Sequence, residues 1–102
     1  MDFKLVWTPL ARDDLREIVS YIARDNPAAA LRVGERILSS VEPLKSMPQM
    51  GRKVPEREDE TIREIVRGNY RIIYKIRGER RAIEIWRIWH GARGAPELVA
   101  PG

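Results

Sequence analysis

The feature that most constrains this chain is a change of hydrophobic period near its middle. Between residues 9 and 41 apolar side chains recur every three or four positions, and between residues 61 and 90 they recur about every second position. A period near 3.6 lays one apolar stripe along a helix, whereas a period of 2 lays one apolar face along a strand. The first stretch therefore reads as helical and the second as a sheet. Each has an apolar side to bury, and the simplest solution is that they bury each other.

Thr8-Pro9 marks the first helix start, with Thr8 as N-cap and Pro9 at the first helical position, where no N–H is needed. Leu15, Ile18, Val19 and Ile22 form the stripe, and the helix is expected to end near Asp25. Asp13 and Asp14 fall in its early turns, where the helix dipole favours negative charge. Asn26-Pro27 repeats the start signal. The second stripe runs through Leu31, Gly34, Ile37, Leu38 and Val41, with Pro43 near its end. Gly34 costs about 1 kcal/mol relative to Ala inside a helix. A close approach of two helices folded back on each other accounts for it.

Phe3 to Trp7 reads as an opening strand. Met47 to Glu60 has no period and is punctuated by Pro48, Gly51 and Pro55, so it reads as a long loop. Thr61 to Arg67 is a strand ending at the turn Gly68-Asn69. In the next strand, Tyr70 to Arg77, residues Tyr70, Ile72, Tyr74 and Ile76 alternate with Arg71, Ile73, Lys75 and Arg77. A turn at Gly78 to Arg81 leads back into Ala82 to His90. Ile83, Ile85, Trp86, Ile88 and Trp89 are too apolar for clean alternation, so this last strand is expected to be central and covered on both faces. The expected class is α+β with the order βααβββ: a helical hairpin packed on a small twisted, mainly antiparallel sheet. One domain spans residues 1–102, and residues 91–102 form a loosely anchored tail.

Composition narrows the chemistry. The hydrophobic share of 43% supports one core. No cysteine is present, which excludes disulfides, thiolate metal sites and cysteine nucleophiles, and with a single histidine no metal and no cofactor is expected. No apolar run reaches the roughly 20 residues of a membrane span, and Met1 to Lys4 does not begin a signal peptide, so the expected setting is cytoplasmic, with no membrane partner. The net charge of +4 is unevenly placed: residues 1–50 carry seven basic and seven acidic groups, residues 51–93 twelve basic and seven acidic. Most of that excess is arginine, whose planar fork suits phosphate or carboxylate.

His90 is the residue best suited to move a proton near neutrality; its plainer reading is a strand-end histidine bonded to backbone. Arg71 and Lys75 alternate away from the tyrosines, Arg63 and Arg67 come from the neighbouring strand, and Arg52 and Lys53 from the loop. Converging, they would clamp a phosphate. The alternative is that they pair with acidic side chains of a protein partner. Tyr70, Tyr74, Trp7, Trp86 and Trp89 read as core.

In their order and spacing, several short stretches carry a resemblance. They are Asp14-Leu15 with Ile18 and Tyr21-Ile22-Ala23, then Asp25-Asn26-Pro27 with Ala29-Ala30, then Met47-Pro48-Gln49-Met50-Gly51-Arg52. Ile62-Arg63-Glu64-Ile65, Tyr70-Arg71-Ile72-Ile73-Tyr74 and Trp89-His90-Gly91-Ala92-Arg93 complete the set. From Phe3 to Arg93 the chain resembles the RelE/ParE superfamily of type II toxin–antitoxin toxins. The resemblance implies a βααβββ toxin fold, an antitoxin encoded beside it that forms a hetero-oligomer with it, and growth inhibition when it is unbound. RelE-like members cleave mRNA in the ribosome, and ParE-like members block DNA gyrase.

The resemblance also implies site residues. Arg71 falls where the RNA-cleaving members carry an arginine, Arg63 where some carry a lysine, and Arg93 near another basic position. Ile65 stands in place of a second lysine, and no tyrosine follows Tyr74. A second ribonuclease pattern would use Glu56 as base, Arg71 on the phosphate and His90 as acid. Asp25-Asn26-Pro27 and Pro48-x-x-Gly51-Arg52 look more like the ParE side, which tilts the expectation toward a gyrase-directed toxin. The alternatives are a metal-independent, ribosome-dependent mRNA endoribonuclease and a non-toxic antitoxin-binding remnant.

Overall fold

A computed structural model describes residues 2–91. Thr8 and Asn26 cap as their side chains require. The Thr8 hydroxyl accepts the Ala11 N–H at 3.2 Å and Asn26 Oδ1 accepts the Ala29 N–H at 3.0 Å. They open α1 (Pro9–Ala23) and α2 (Pro27–Val41). A Cβ added to Gly34 would lie 3.4 Å from Val19 Cγ2, so the glycine does sit where the two helices approach closely.

A 3-10 turn, Glu42–Lys45, follows α2, so Pro43 begins a new turn instead of ending the helix. The strands are β1 (Lys4–Trp7), β2 (Arg52–Lys53), β3 (Ile62–Arg67), β4 (Tyr70–Arg77) and β5 (Ala82–His90). They form one mixed sheet in the order β1-β5-β4-β3-β2, with β1 parallel to β5 and the other neighbours antiparallel. The expected α+β architecture is observed, with one addition: β2, inside the segment read as loop. Two residues are too few to show a period. The last strand lies second in the sheet, between β1 and β4, and is buried on both faces.

Both faces of the sheet carry core. The helix side buries Ala11, Ile37, Val41 and Leu44 against Ile65, Ile72, Tyr74, Ile83, Ile85 and Ile88. The outer side holds a smaller cluster of Val54, Ile62, Ile73, Trp86 and Trp89, in which Val54 comes from the loop after β2. A β-bulge reconciles the two. Tyr74 pairs with Ile85 and Ile73 with Arg87, so Trp86 is an extra residue in β5. A bulge shifts the phase of the strand by one. Ile83 and Ile85 before it and Ile88 after it therefore all reach the helix side, while Trp86 and Trp89 reach the outer side. That phase shift is why the sequence of β5 does not alternate cleanly.

Asp14 does not serve the dipole of α1. It is 8% exposed and accepts Arg87 Nε at 2.8 Å, Arg87 Nη2 at 3.1 Å and the Ile88 N–H at 2.9 Å. β1 pairs with β5 only as far as Ile85. Asp14 thus satisfies a backbone donor just past the point where β1 ends. Among the described residues no helix is long and apolar enough to cross a membrane. Of the expected tail, 91–102, Gly91 is described and donates its N–H to the Asn69 carbonyl at 2.8 Å, while residues 92–102, Arg93 among them, lie outside the described residues.

Candidate functional site

The alternation of β4 sets the site. Tyr70, Ile72 and Tyr74 pack with the helix-side core, so Arg71, Ile73 and Lys75 turn to the outer side. Across the β3–β4 ladder Ile65 lies opposite Ile72 and Glu64 opposite Ile73. The outer side of β3 is therefore Ile62, Glu64 and Val66, not Arg63 and Arg67. A carboxylate stands where a convergence of cations was expected.

Glu64 organises what surrounds it. Its side chain is 0% exposed, and it accepts Arg52 Nε at 2.6 Å and Arg71 Nε at 2.5 Å. Arg71, with 14% of its side chain exposed, also donates Nη2 to Glu56 Oε1 at 2.7 Å and Nη1 to Glu56 Oε2 at 3.1 Å. The result is a chain of alternating charge, Arg52–Glu64–Arg71–Glu56, with the guanidinium of Arg71 held by carboxylates on both sides. Hydrogen bonds from Arg71 pull the Glu56 carboxyl below its ordinary value, and those from Arg71 to Glu56 hold Arg71 all the more firmly charged.

Three more of the expected cations are engaged. Lys75 Nζ meets Thr61 Oγ1 at 2.6 Å and Asp59 Oδ2 at 3.3 Å. The Thr61 hydroxyl and backbone N–H, with Lys75, bring Asp59 down to about 2. Arg63 donates to the carbonyls of Glu60 and Gly51, both at 2.9 Å, and Arg67 to the carbonyl of Val66 at 3.0 Å. Lys53 is exposed at the edge strand β2. Farther along the outer face, burial pushes the Glu84 carboxyl up, but hydrogen bonds from Trp86 Nε1 and Arg77 outweigh it and hold it low.

The structure joins Glu56 and Arg71 and places the His90 ring on the opposite face of the sheet, near its end. His90 lies opposite Tyr70 in the ladder, and the two rings meet edge to face with centroids 5.2 Å apart. It therefore shares the helix side with Tyr70, where both line a cleft of about 530 Å³ with Asp14, Ile18 and Tyr21. At the end of the sheet His90 and Arg71 both border a shallower concavity with Arg52 and Val66.

Sequence reasoning missed Glu64 and Asp14. The signal for Glu64 was present, since it stands in phase with Ile62 on a strand, and a buried-phase carboxylate needs a partner. Asp14 carried no comparable signal, because its partners lie 73 and 74 residues away.

Comparison with known proteins gives the family. The family described as the ParE toxin of type II toxin–antitoxin systems, parDE, matches residues 5–94. A candidate toxin of Sinorhizobium fredii, Y4kP, is 37% identical over 98 residues, which cover 94% of this chain and 96% of that one. Toxin RelE1 of Caulobacter vibrioides is 26% identical over 91 residues, covering 89% and 96%. A solved structure of the chromosomal ParDE toxin–antitoxin system from P. aeruginosa superposes with a TM-score of 0.70 at 26% identity, covering 86% of this chain and 95% of that one.

Proposed function

Since this chain belongs to the ParE toxin family of type II toxin–antitoxin systems, we propose that it acts as a ParE-like toxin on DNA gyrase and is held inactive by an antitoxin encoded beside it. The observation that carries this reading is the engagement of Arg71. Metal-independent RNA cleavage needs a base, an acid and uncompensated positive charge around one phosphate. Here Arg71 is flanked by Glu56 and Glu64, the candidate base is ion-paired with the candidate phosphate-binding residue, and the candidate acid lies on the other face of the sheet. A protein target does not require that constellation. An antitoxin partner is supported by the toxin–antitoxin system in the related P. aeruginosa structure.

The second reading, ribosome-dependent mRNA cleavage, is favoured by the concavity that Arg71 and His90 share at the end of the sheet. One experiment separates the two. Inducing the chain alone in bacteria and mapping mRNA 5′ ends is expected to give growth arrest without new cuts in translated frames, and the purified protein is expected to inhibit gyrase supercoiling. New cuts in reading frames would establish the nuclease instead. No arrest at all would leave only an antitoxin-binding module.

A further inference from the structure

The outer edge of Arg71 is filled by a carboxylate that belongs to a loop. Glu64 holds Nε from within the sheet and is itself fixed by Arg52 and by the register of β3. Glu56 takes both Nη atoms from an arm that leaves the sheet at Val54 and returns at Ile62. Val54 and Ile62 are each 1% exposed, and the Val54 N–H reaches the Ile62 carbonyl at 3.3 Å, closing the base of the arm. Asp59, tied to Thr61 and Lys75, fixes its far side. Residues 55–58 between these anchors are exposed. Replacing Glu56 on Arg71 by another carboxylate would therefore leave the base of the arm in place.

We propose that Glu56 is the internal occupant of a carboxylate-recognition site, and that an acidic segment of a partner protein docks by placing its own carboxylate on the Arg71 fork. The bidentate geometry at 2.7 and 3.1 Å is that of a planar carboxylate on a guanidinium. Arg52, with 62% of its side chain exposed, supplies a second cation beside the fork. Val66 lies directly opposite Arg71 in the ladder and is 45% exposed, so an apolar contact adjoins the charged one. Acidic and apolar side chains spaced along one chain meet both features. A nucleic acid strand offers phosphates for the fork but no aliphatic side chain for Val66. The proposal rests on the reading of this chain as a toxin that binds proteins, but not on which target it attacks.

The probe is an acetylated, amidated pentapeptide of alternating glutamate and valine, titrated into the whole protein while the Arg71 Nε–Hε resonance is followed by NMR. The peptide is expected to move that resonance, and Glu56→Gln to bind it about fivefold more tightly, the equilibrium equivalent of removing one weak intramolecular ion pair. Glu58→Gln removes the same charge from the same arm without touching Arg71, and it is expected to change affinity by less than about twofold. Both positions are exposed, so neither variant threatens the fold. Unchanged affinity in Glu56→Gln, equal tightening in Glu58→Gln, absence of peptide binding, or tighter binding of penta-uridylate at Arg71 would each overturn the proposal. Growth arrest and gyrase inhibition do not enter the measurement, so its failure is distinct from failure of the gyrase reading.

Discussion

The buried hydroxyl of Tyr74 accepts the backbone N–H of Gly51 at 2.9 Å. The same hydroxyl donates to the carbonyl of Pro48 at 2.7 Å, so one side chain from β4 pins the turn that leads into β2. Burial raises the pKa of Tyr74, which keeps the hydroxyl protonated and able to donate. The Pro48-x-x-Gly51 spacing is thereby given a physical reason. A Cβ at position 51 would stand 2.5 Å from the Glu64 carbonyl oxygen and 2.7 Å from the Tyr74 hydroxyl.

Gly51→Ala is therefore expected to destabilise the fold by about 1–3 kcal/mol, the usual cost of forcing a methyl into packed space. Tyr74→Phe should cost about 1–3 kcal/mol by leaving two backbone groups without a partner. Urea unfolding of each variant checks both. A loss within 0.5 kcal/mol in either case (the range of a surface substitution, roughly) would contradict the pin.

The clasp between Asp14 and β5 should be costlier to break. Asp14→Ala leaves Arg87 without this carboxylate and the Ile88 N–H without its acceptor, and an expected loss of about 3 kcal/mol follows. Asp14→Asn retains an acceptor for Ile88 and should lose less. Guanidinium unfolding that ranks the two equally would show that the backbone bond contributes nothing.

Acid should loosen the loop over the outer face. Asp59 lies near 2 in the fold against an ordinary value of 3.8. The folded carboxylate binds its proton less readily than the unfolded one, so its contribution is fully present above 3.8 and is lost as pH falls toward 2. Glu56, also lowered, acts in the same direction as the pH falls below its ordinary value of 4.5. Chemical-denaturation midpoints measured between pH 7 and pH 2 should fall across this window. Thr61→Ala, which removes the first donor to Asp59, should flatten that fall.

For activity, His90→Ala is expected to leave growth arrest intact, because the ring packs edge to face on Tyr70, on the opposite face of the sheet from Arg71. Loss of arrest with a preserved fold and preserved antitoxin binding would restore His90 to a catalytic role and the mRNA reading with it.

Much of this molecule is dictated by contacts between near neighbours in the chain. Caps at Thr8 and Asn26, the glycine that lets α2 approach α1, the Gly68-Asn69 turn and the two hydrophobic periods each depend on residues a few positions apart. They suffice for α+β, for βααβββ and for the side of β4 that meets the helices. Tertiary structure decided what depends on register. The two-residue β2 exists only because Arg52 and Lys53 meet Glu64 and Arg63. The bulge at Trp86 turns an ambiguous apolar strand into one with two faces of core. At the candidate site, charge count indicated a basic second half, and the register of β3 against β4 then placed Glu64 beside Arg71. One residue of slip would have turned Arg63 and Ile65 outward instead. Whether a cluster of arginines is an open clamp or a closed network depends on which carboxylates the ladder brings within 3 Å, and no local pattern encodes that distance.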